Sequence, residues 1–144
     1  MKILLTGATG YIGKRLLPVL VKAGHEVICC VRDNRRFTAP ASIRNNISVI
    51  EIDLLNKESL EKIPEDIDAA YYLVHSMSTS KNYKSLEKLS ATNFRNALNK
   101  TNAQQVIYLS GIVNEKTLSK HLSSRKDVEI ELRQGAYNLT TLRA

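Results

Sequence analysis

The sequence predicts an α/β domain built on a doubly wound parallel sheet of about six strands, order 3-2-1-4-5-6, over residues 1–144. Three observations carry this reading. Short apolar runs alternate with stretches of helical periodicity along the chain. The runs are nearly continuous in Val, Ile, Leu, Tyr and Cys, as suits strands buried on both faces. The first run leads through three closely spaced glycines into a helix, and such alternation with right-handed crossovers gives a sheet of this kind.

Taken in order, "KILLTG" (2–7) is the first strand. A helix follows from about Gly10 to Ala23, with Ile12, Leu16, Val19 and Leu20 at helical spacing and Gly24 as its left-handed C-terminal cap. Pro18 removes one hydrogen bond inside it and predicts a mild kink. "EVICCVR" (26–32) and "ISVIEID" (47–53) are strands two and three. Asn56 is a good N-cap for a short helix in "NKESLEKI". "DAAYYLVH" (68–75) is strand four, and Leu86, Leu89, Phe94, Ala97 and Leu98 mark a helix near 84–100. "QQVIYLSG" (104–111) is strand five, a helix covers about 124–134 and ends at Gly135, and "NLTTLR" (138–143) is strand six. No internal repeat, low-complexity tract or linker interrupts the pattern.

The composition narrows the function. Of 144 residues, 43% are hydrophobic, a globular value, and the net charge of +7 suits an acidic ligand or simply a solvated basic surface. There is no long basic run or aromatic-basic ladder for nucleic acid, and no apolar run approaches the ~20 residues that span a bilayer. The two cysteines, Cys29 and Cys30, are adjacent within a strand. They read as reduced core residues rather than a disulfide or zinc site, and point to a cytoplasmic protein.

The glycine spacing is Gly7-x-x-Gly10-x-x-Gly13. Gly7 ends the first strand, where a sharp turn needs unusual backbone angles. A side chain at Gly10 would collide with a pyrophosphate approaching the backbone, and the bare Gly13 lets the helix pack closely. Gly7, Thr9, Gly10, Tyr11, Ile12 and Gly13 therefore form a candidate diphosphate site, served by the N–H groups and dipole of the helix start. Ligands of such sheets bind beyond the carboxyl ends of the strands at the switch point between strands one and four. That gathers the glycine loop, the end of strand two, Asp53 and the His75 segment around one crevice.

The stretch "TGATGYIGKRLLPVLVKAGHEVICCVRD" resembles the N-terminus of atypical short-chain dehydrogenase/reductase proteins, the NmrA-like and epimerase-like NAD(P)-binding Rossmann group. "IDLLN", "YYLVHSM", "ATNFRNAL", "VIYLSGI" and "LSKHLSSR" fall where that group carries related segments, so the resemblance covers nearly the whole chain. It implies a dinucleotide cofactor and an oxidoreductase or nucleotide-sugar-epimerase-like lineage, with the substrate left open. Family members continue beyond the sixth strand with chain that builds the substrate side. The resemblance therefore implies either a truncated or fragment form lacking that C-terminal region or a stand-alone cofactor module, its substrate site incomplete unless a partner supplies surface, with a homo-oligomer left open.

An acid near the end of strand two usually marks NAD, whereas a guanidinium there can fork onto the 2′-phosphate of NADP. Here Arg32 precedes Asp33, with Asn34, Arg35 and Arg36 following. NADP is favoured through Arg32, NAD is kept open by Asp33, and Arg35 and Arg36 read equally as a solvated loop. By resemblance, Asp53 reaches the adenine amino group while the backbone of Leu54 holds the ring; Asp53 also suits a turn cap. By resemblance too, Val74, His75 and Ser76 line the ribose and nicotinamide side, and Asn93 steadies the strand-four segment.

The catalytic machinery is less legible. Short-chain dehydrogenases use a Tyr-x-x-x-Lys pair, in which the lysine and nearby positive charge lower the tyrosine pKa. None of Tyr11, Tyr71, Tyr72, Tyr83, Tyr108 and Tyr137 has a lysine four residues later. Ser110 ends strand five, where the family often keeps a substrate-binding serine. His121 and Arg125 share the four-residue spacing and fall near the place of the missing pair. An imidazole could pass a proton there, and an arginine could bind phosphate or carboxylate; surface polar residues are the plainer reading. An NADP-binding sensor without turnover, of NmrA type, is the rival to an enzyme, and a scaffold with a vestigial pocket is a third reading.

Overall fold

A computed structural model describes residues 1–75, 81–112 and 120–144, with the side chain of residue 121 outside the description. Six parallel strands form one sheet in the order β3-β2-β1-β4-β5-β6. The strands are β1 (Lys2–Thr6), β2 (Glu26–Val31), β3 (Ile47–Glu51), β4 (Ala69–Tyr72), β5 (Gln105–Ser110) and β6 (Asn138–Arg143). The helices are α1 (Tyr11–Lys22), α2 (Tyr83–Leu98) and α3 (Lys120–Arg133), and 3₁₀ turns cover Asn34–Arg36, Ala41–Asn46 and Lys57–Lys62. The expected order is the observed one.

Successive strand residues point to opposite faces. On one face, Leu4, Ile28, Ala70, Tyr72, Val106 and Tyr108 pack against α2 and α3 through Phe94, Leu98, Val128 and Leu132. The Tyr72 ring meets Phe94 and Tyr108 edge-on, with centroids 4.9 and 5.9 Å away. On the other face, Ile3, Leu5, Val27 and Cys29 pack against Leu17 and Leu20 of α1. Both cysteines are free and buried, and burial pushes the Cys29 thiol up to about 12, so neither is a ready nucleophile. Among the described residues no helix is long and apolar enough to cross a membrane.

Several elements differ from expectation in informative ways. In α1 the inward stripe is Gly13, Leu17 and Leu20, while Ile12 and Val19 are 44% and 61% exposed. The spacing was helical, but the contact face is set by the closest approach at Gly13. Leu89 of α2 is likewise exposed, and Ala91, Phe94 and Leu98 carry the packing. Helix α3 starts four residues before the expected 124. The short helix after Asn56 is present in 3₁₀ form, with the Asn56 side chain accepting from the Glu58 N–H as its N-cap. At the end of α1, Gly24 adopts φ +87°. His25 N–H bonds the Leu20 carbonyl and Gly24 N–H that of Val21, a Schellman closure.

Strand β4 ends at Tyr72 rather than residue 75 because β1 leaves the sheet at Gly7. The Thr6 hydroxyl takes over the ladder there: it donates to the Tyr71 carbonyl at 2.9 Å and accepts from the Leu73 N–H at 3.2 Å. Gly7, the next residue, still sits against Leu73, with a Cβ there only 2.9 Å from the Leu73 carbonyl oxygen; ligands of doubly wound sheets bind in the crevice outside the carboxyl ends of such neighbouring strands.

Helix α1 is seated on the loop that precedes it. A Cβ on Gly13 would lie 2.2 Å from the Gly7 carbonyl oxygen and 2.9 Å from the Ala8 Cα, both backbone atoms that cannot swing aside. Gly13→Ala is therefore expected to cost about 3 kcal/mol, seen as a drop in Tm of roughly 6–12 °C. A Cβ on Gly10 meets only the Gly7 oxygen, at 3.2 Å, and Gly10→Ala should lose far less. Equal losses in thermal melts would show that α1 does not rest on the loop.

Candidate functional site

The glycine loop forms the floor of the crevice. Gly7 turns the chain at φ +72°, and a Cβ there would lie 2.9 Å from the Leu73 carbonyl oxygen. The Gly10 N–H bonds back to the Gly7 carbonyl at 2.9 Å, and Gly10, in an extended conformation, is the N-cap of α1. No side chain caps this end, and no acid stands in its first turn. The N–H groups of Tyr11, Ile12 and Gly13 have no acceptor within the helix, as at any helix start. Thr9, Gly10, Tyr11 and Ile12 are exposed around them, while Gly13 is buried beneath. An anion fits such an end, where it meets free donors and the positive pole of the helix. The Arg15 guanidinium lies 3.6 Å over the Tyr11 ring and adds a cation one turn along.

At the end of β2, Arg32 is exposed, with no hydrogen bond or ion pair among the described residues. Asp33 is already engaged. Its Oδ1 accepts from the Arg35 N–H and Nε, and its Oδ2 accepts from Arg35 Nη2, each at 3.0 Å. These bonds cap the 3₁₀ turn Asn34–Arg36 and hold the Asp33 carboxyl below its usual range. Sequence reasoning missed this clamp, although an Asp two residues before an Arg in a loop is a pattern for an Asx turn.

Asp53 lies just past β3 and is exposed. Its Oδ1 accepts from the Leu55 N–H at 3.0 Å, and its own N–H donates to Ser59 Oγ at 3.0 Å. The turn-capping reading of Asp53 is therefore realised, with Oδ2 unbonded among the described residues. The Asn93 Nδ2 donates to the Leu54 carbonyl at 2.8 Å, so it steadies the segment after β3; the segment after β4 that it is expected to steady runs into residues outside the described ones.

At the ends of β4 and β5, Val74 packs partly buried against the core and His75 is half-buried, its ring 6.5 Å from that of Tyr108. Burial, aided by the Arg125 charge, lowers the His75 pKa to about 4, so the imidazole is neutral at pH 7. A cavity of about 20 Å³, the size of a water site, lies beneath it between Tyr72 and Tyr108. Burial raises the Tyr108 hydroxyl to about 12, while nearby Ser110 and Arg125 oppose the rise. Tyr108 donates to the Arg125 carbonyl at 3.2 Å. Ser110 is buried close by, yet among the described residues no contact of its Oγ, including that to Tyr108, satisfies hydrogen-bond geometry. His121 and Arg125 fall one turn apart on α3; Ser76 lies outside the described residues, as does the His121 side chain. Among the described residues, no three His, Cys, Asp or Glu side chains gather to hold a metal.

The carboxyl ends of the strands thus carry an open helix start, an Arg32 unpaired among the described residues beside β2, a capped acid after β3, and a neutral imidazole and buried hydroxyl at β4 and β5. Residues 7–139 match the NAD(P)H-binding family. An uncharacterized protein of Saccharomyces cerevisiae is 33% identical over 73 residues, 51% of this chain and 24% of the yeast protein. Among solved structures, a nucleoside-diphosphate-sugar epimerase from Staphylococcus aureus superposes over 99% of this chain and 50% of its own, with TM-score 0.80 and 19% identity. The Citrobacter sp. triphenylmethane reductase complexed with NADP(H) covers 98% of this chain and 48% of its own, with TM-score 0.81 and 19% identity. The Escherichia coli NADPH-dependent quinone oxidoreductase complexed with NADPH also covers 98% and 48%, with TM-score 0.80 and 20% identity. The chain spans about half the length of these structures and a quarter of the yeast protein. These likenesses establish the fold, and the family match extends through the crevice from Gly7 to β6: this chain belongs to the NAD(P)H-binding family.

Proposed function

We propose that the protein binds NADP in preference to NAD and works as an oxidoreductase of the atypical short-chain dehydrogenase/reductase type. The observation that carries the cofactor choice is the pairing at the end of β2. Both oxygens of Asp33 are bonded to Arg35, so the acid that would accept the ribose hydroxyls of NAD is engaged. Arg32 has no carboxylate partner among the described residues, and its fork suits a 2′-phosphate.

The remaining roles follow the crevice. Gly7, Thr9, Gly10, Tyr11, Ile12 and Gly13 hold the diphosphate through main-chain N–H groups. Asp53, through its unused oxygen, and Leu54 hold the adenine edge. Val74 and His75 border the nicotinamide ribose, where a neutral imidazole can donate or accept a hydrogen bond without adding charge. When bound, the nicotinamide supplies hydride chemistry, and the protein's share is orientation and protonation. Ser110 and Arg125 are the described residues at the substrate end. His121, one helical turn before Arg125, is the candidate to exchange a proton in place of the missing tyrosine.

That missing Tyr-x-x-x-Lys pair supports a second reading, an NADP-binding sensor of NmrA type without turnover. Soluble operation in the cytoplasm suits either.

Two measurements test these readings. In NADPH and NADH titrations followed by fluorescence, Arg32→Ala should weaken NADPH roughly 10–100-fold, the worth of a charge-assisted hydrogen bond, and leave NADH nearly unchanged. Equal losses would remove the phosphate assignment. Across a panel of carbonyl compounds, NADPH consumption that disappears in His121→Ala supports the oxidoreductase. Tight binding with no consumption supports the sensor.

A further inference from the structure

We propose that the carboxyl ends of β4 and β5 form a subsite for a carboxylate group of the substrate, gripped by the Arg125 guanidinium and the Ser110 hydroxyl. The proposal rests on the reading that the nicotinamide end of a dinucleotide lies beside this place.

Ser110 is the last residue of β5 and is 1% exposed; its side chain lies close to the Tyr108 hydroxyl, yet among the described residues its Oγ makes no hydrogen bond of good geometry. A buried hydroxyl left unmet is costly and calls for an explanation. Its side chain shares the sheet face of Val106 and Tyr108, the face that α3 covers. From α3, Arg125 reaches the same strand end: a Cβ on Gly111 would lie 3.2 Å from Arg125 Nη1. The bond from the Tyr108 hydroxyl to the Arg125 carbonyl pins that turn of the helix.

Other arginines around α3 are spoken for. Arg95 pairs with Glu131 at 2.9 Å, and Arg133 and Arg143 pair with Glu129 at 2.7 and 3.0 Å. Arg125 has no hydrogen bond or ion pair from its guanidinium among the described residues, although it is half-buried. An unsatisfied planar donor fork beside an unsatisfied hydroxyl is a receptor for an oxyanion.

The charge balance selects a carboxylate over a phosphate. His75 is neutral and adds no second cation. Glu87, which accepts from the Ser124 hydroxyl, lines the cavity under His75 and adds a negative charge. One guanidinium can neutralise a monoanion in this partly dry setting. A dianion would keep an unpaired charge.

The test is calorimetry on the full chain saturated with NADPH, using benzoate, the neutral isostere benzamide, and phenyl phosphate as probes. Benzoate should bind at least about tenfold more tightly than either other probe. Arg125→Lys, which keeps the charge but loses the fork, and Ser110→Ala should each weaken benzoate roughly tenfold while leaving NADPH affinity unchanged. Ser110→Ala should leave the ligand-free Tm equal or higher, because it deletes an unsatisfied group; this variant guards against misfolding of the arginine variant. Equal binding of benzoate and benzamide, tighter binding of phenyl phosphate, or unchanged benzoate affinity in Ser110→Ala would overturn the proposal. If the wild-type chain bound no NADPH, the dinucleotide reading would fail separately, and benzoate against benzamide without NADPH would still decide the subsite.

Discussion

The structure turns on the parting of two neighbouring strands. Strands β1 and β4 are paired as far as Leu5 and Tyr71. The Thr6 hydroxyl then bridges Tyr71 and Leu73, and Gly7 swings the chain away through a conformation that side chains rarely adopt. Where two hydrogen-bonded strands separate at the middle of a doubly wound sheet, the connections leave for opposite faces and a crevice must open. Helix α1 then presents its bare start to that crevice, because Gly13 lets it sit directly on the Gly7 carbonyl. The diphosphate site proposed here would be largely a matter of main-chain geometry, with side chains chiefly kept out of the way.

The polar groups around the crevice divide by how far their bonding needs are already met. Asp33, Asp53 and Asn93 are engaged in holding loops in place. Among the described residues, the side chains of Arg32, Ser110 and Arg125 are not. Groups of the first kind fix the walls. Groups of the second kind keep binding capacity in reserve, which is what a ligand needs. The contrast is sharpest along α3, where Glu129 and Glu131 hold their arginines and tie the helix to β6 and α2.

Burial tunes the groups at the ends of β4 and β5. Tyr108 is held protonated at neutral pH, and His75 is held neutral. Both shifts arise from removing water around a group whose charged form would be poorly solvated. The result is a pair of uncharged rings, His75 and Tyr108, beside the Arg125 guanidinium and the Glu87 carboxylate.

The sequence by itself determined the layering, the strand order and the position of the glycine loop. Those depend on local facts: apolar runs too continuous for one-sided strands, and glycines at a spacing that few other turns require. Even the capping roles of Asn56 and Gly24 are local and were legible. Only the tertiary structure decided which side of α1 faces inward, because that follows from the contact at Gly13 rather than from periodicity; Ile12 and Val19 fit the period and still face out. It alone decided that Asp33 is clamped, that Asn93 reaches the segment after β3, and that Arg125 lies over the end of β5. Each of these depends on where a long side chain ends after the backbone is folded. A linear pattern records the type of such a side chain, and packing in three dimensions selects its partner.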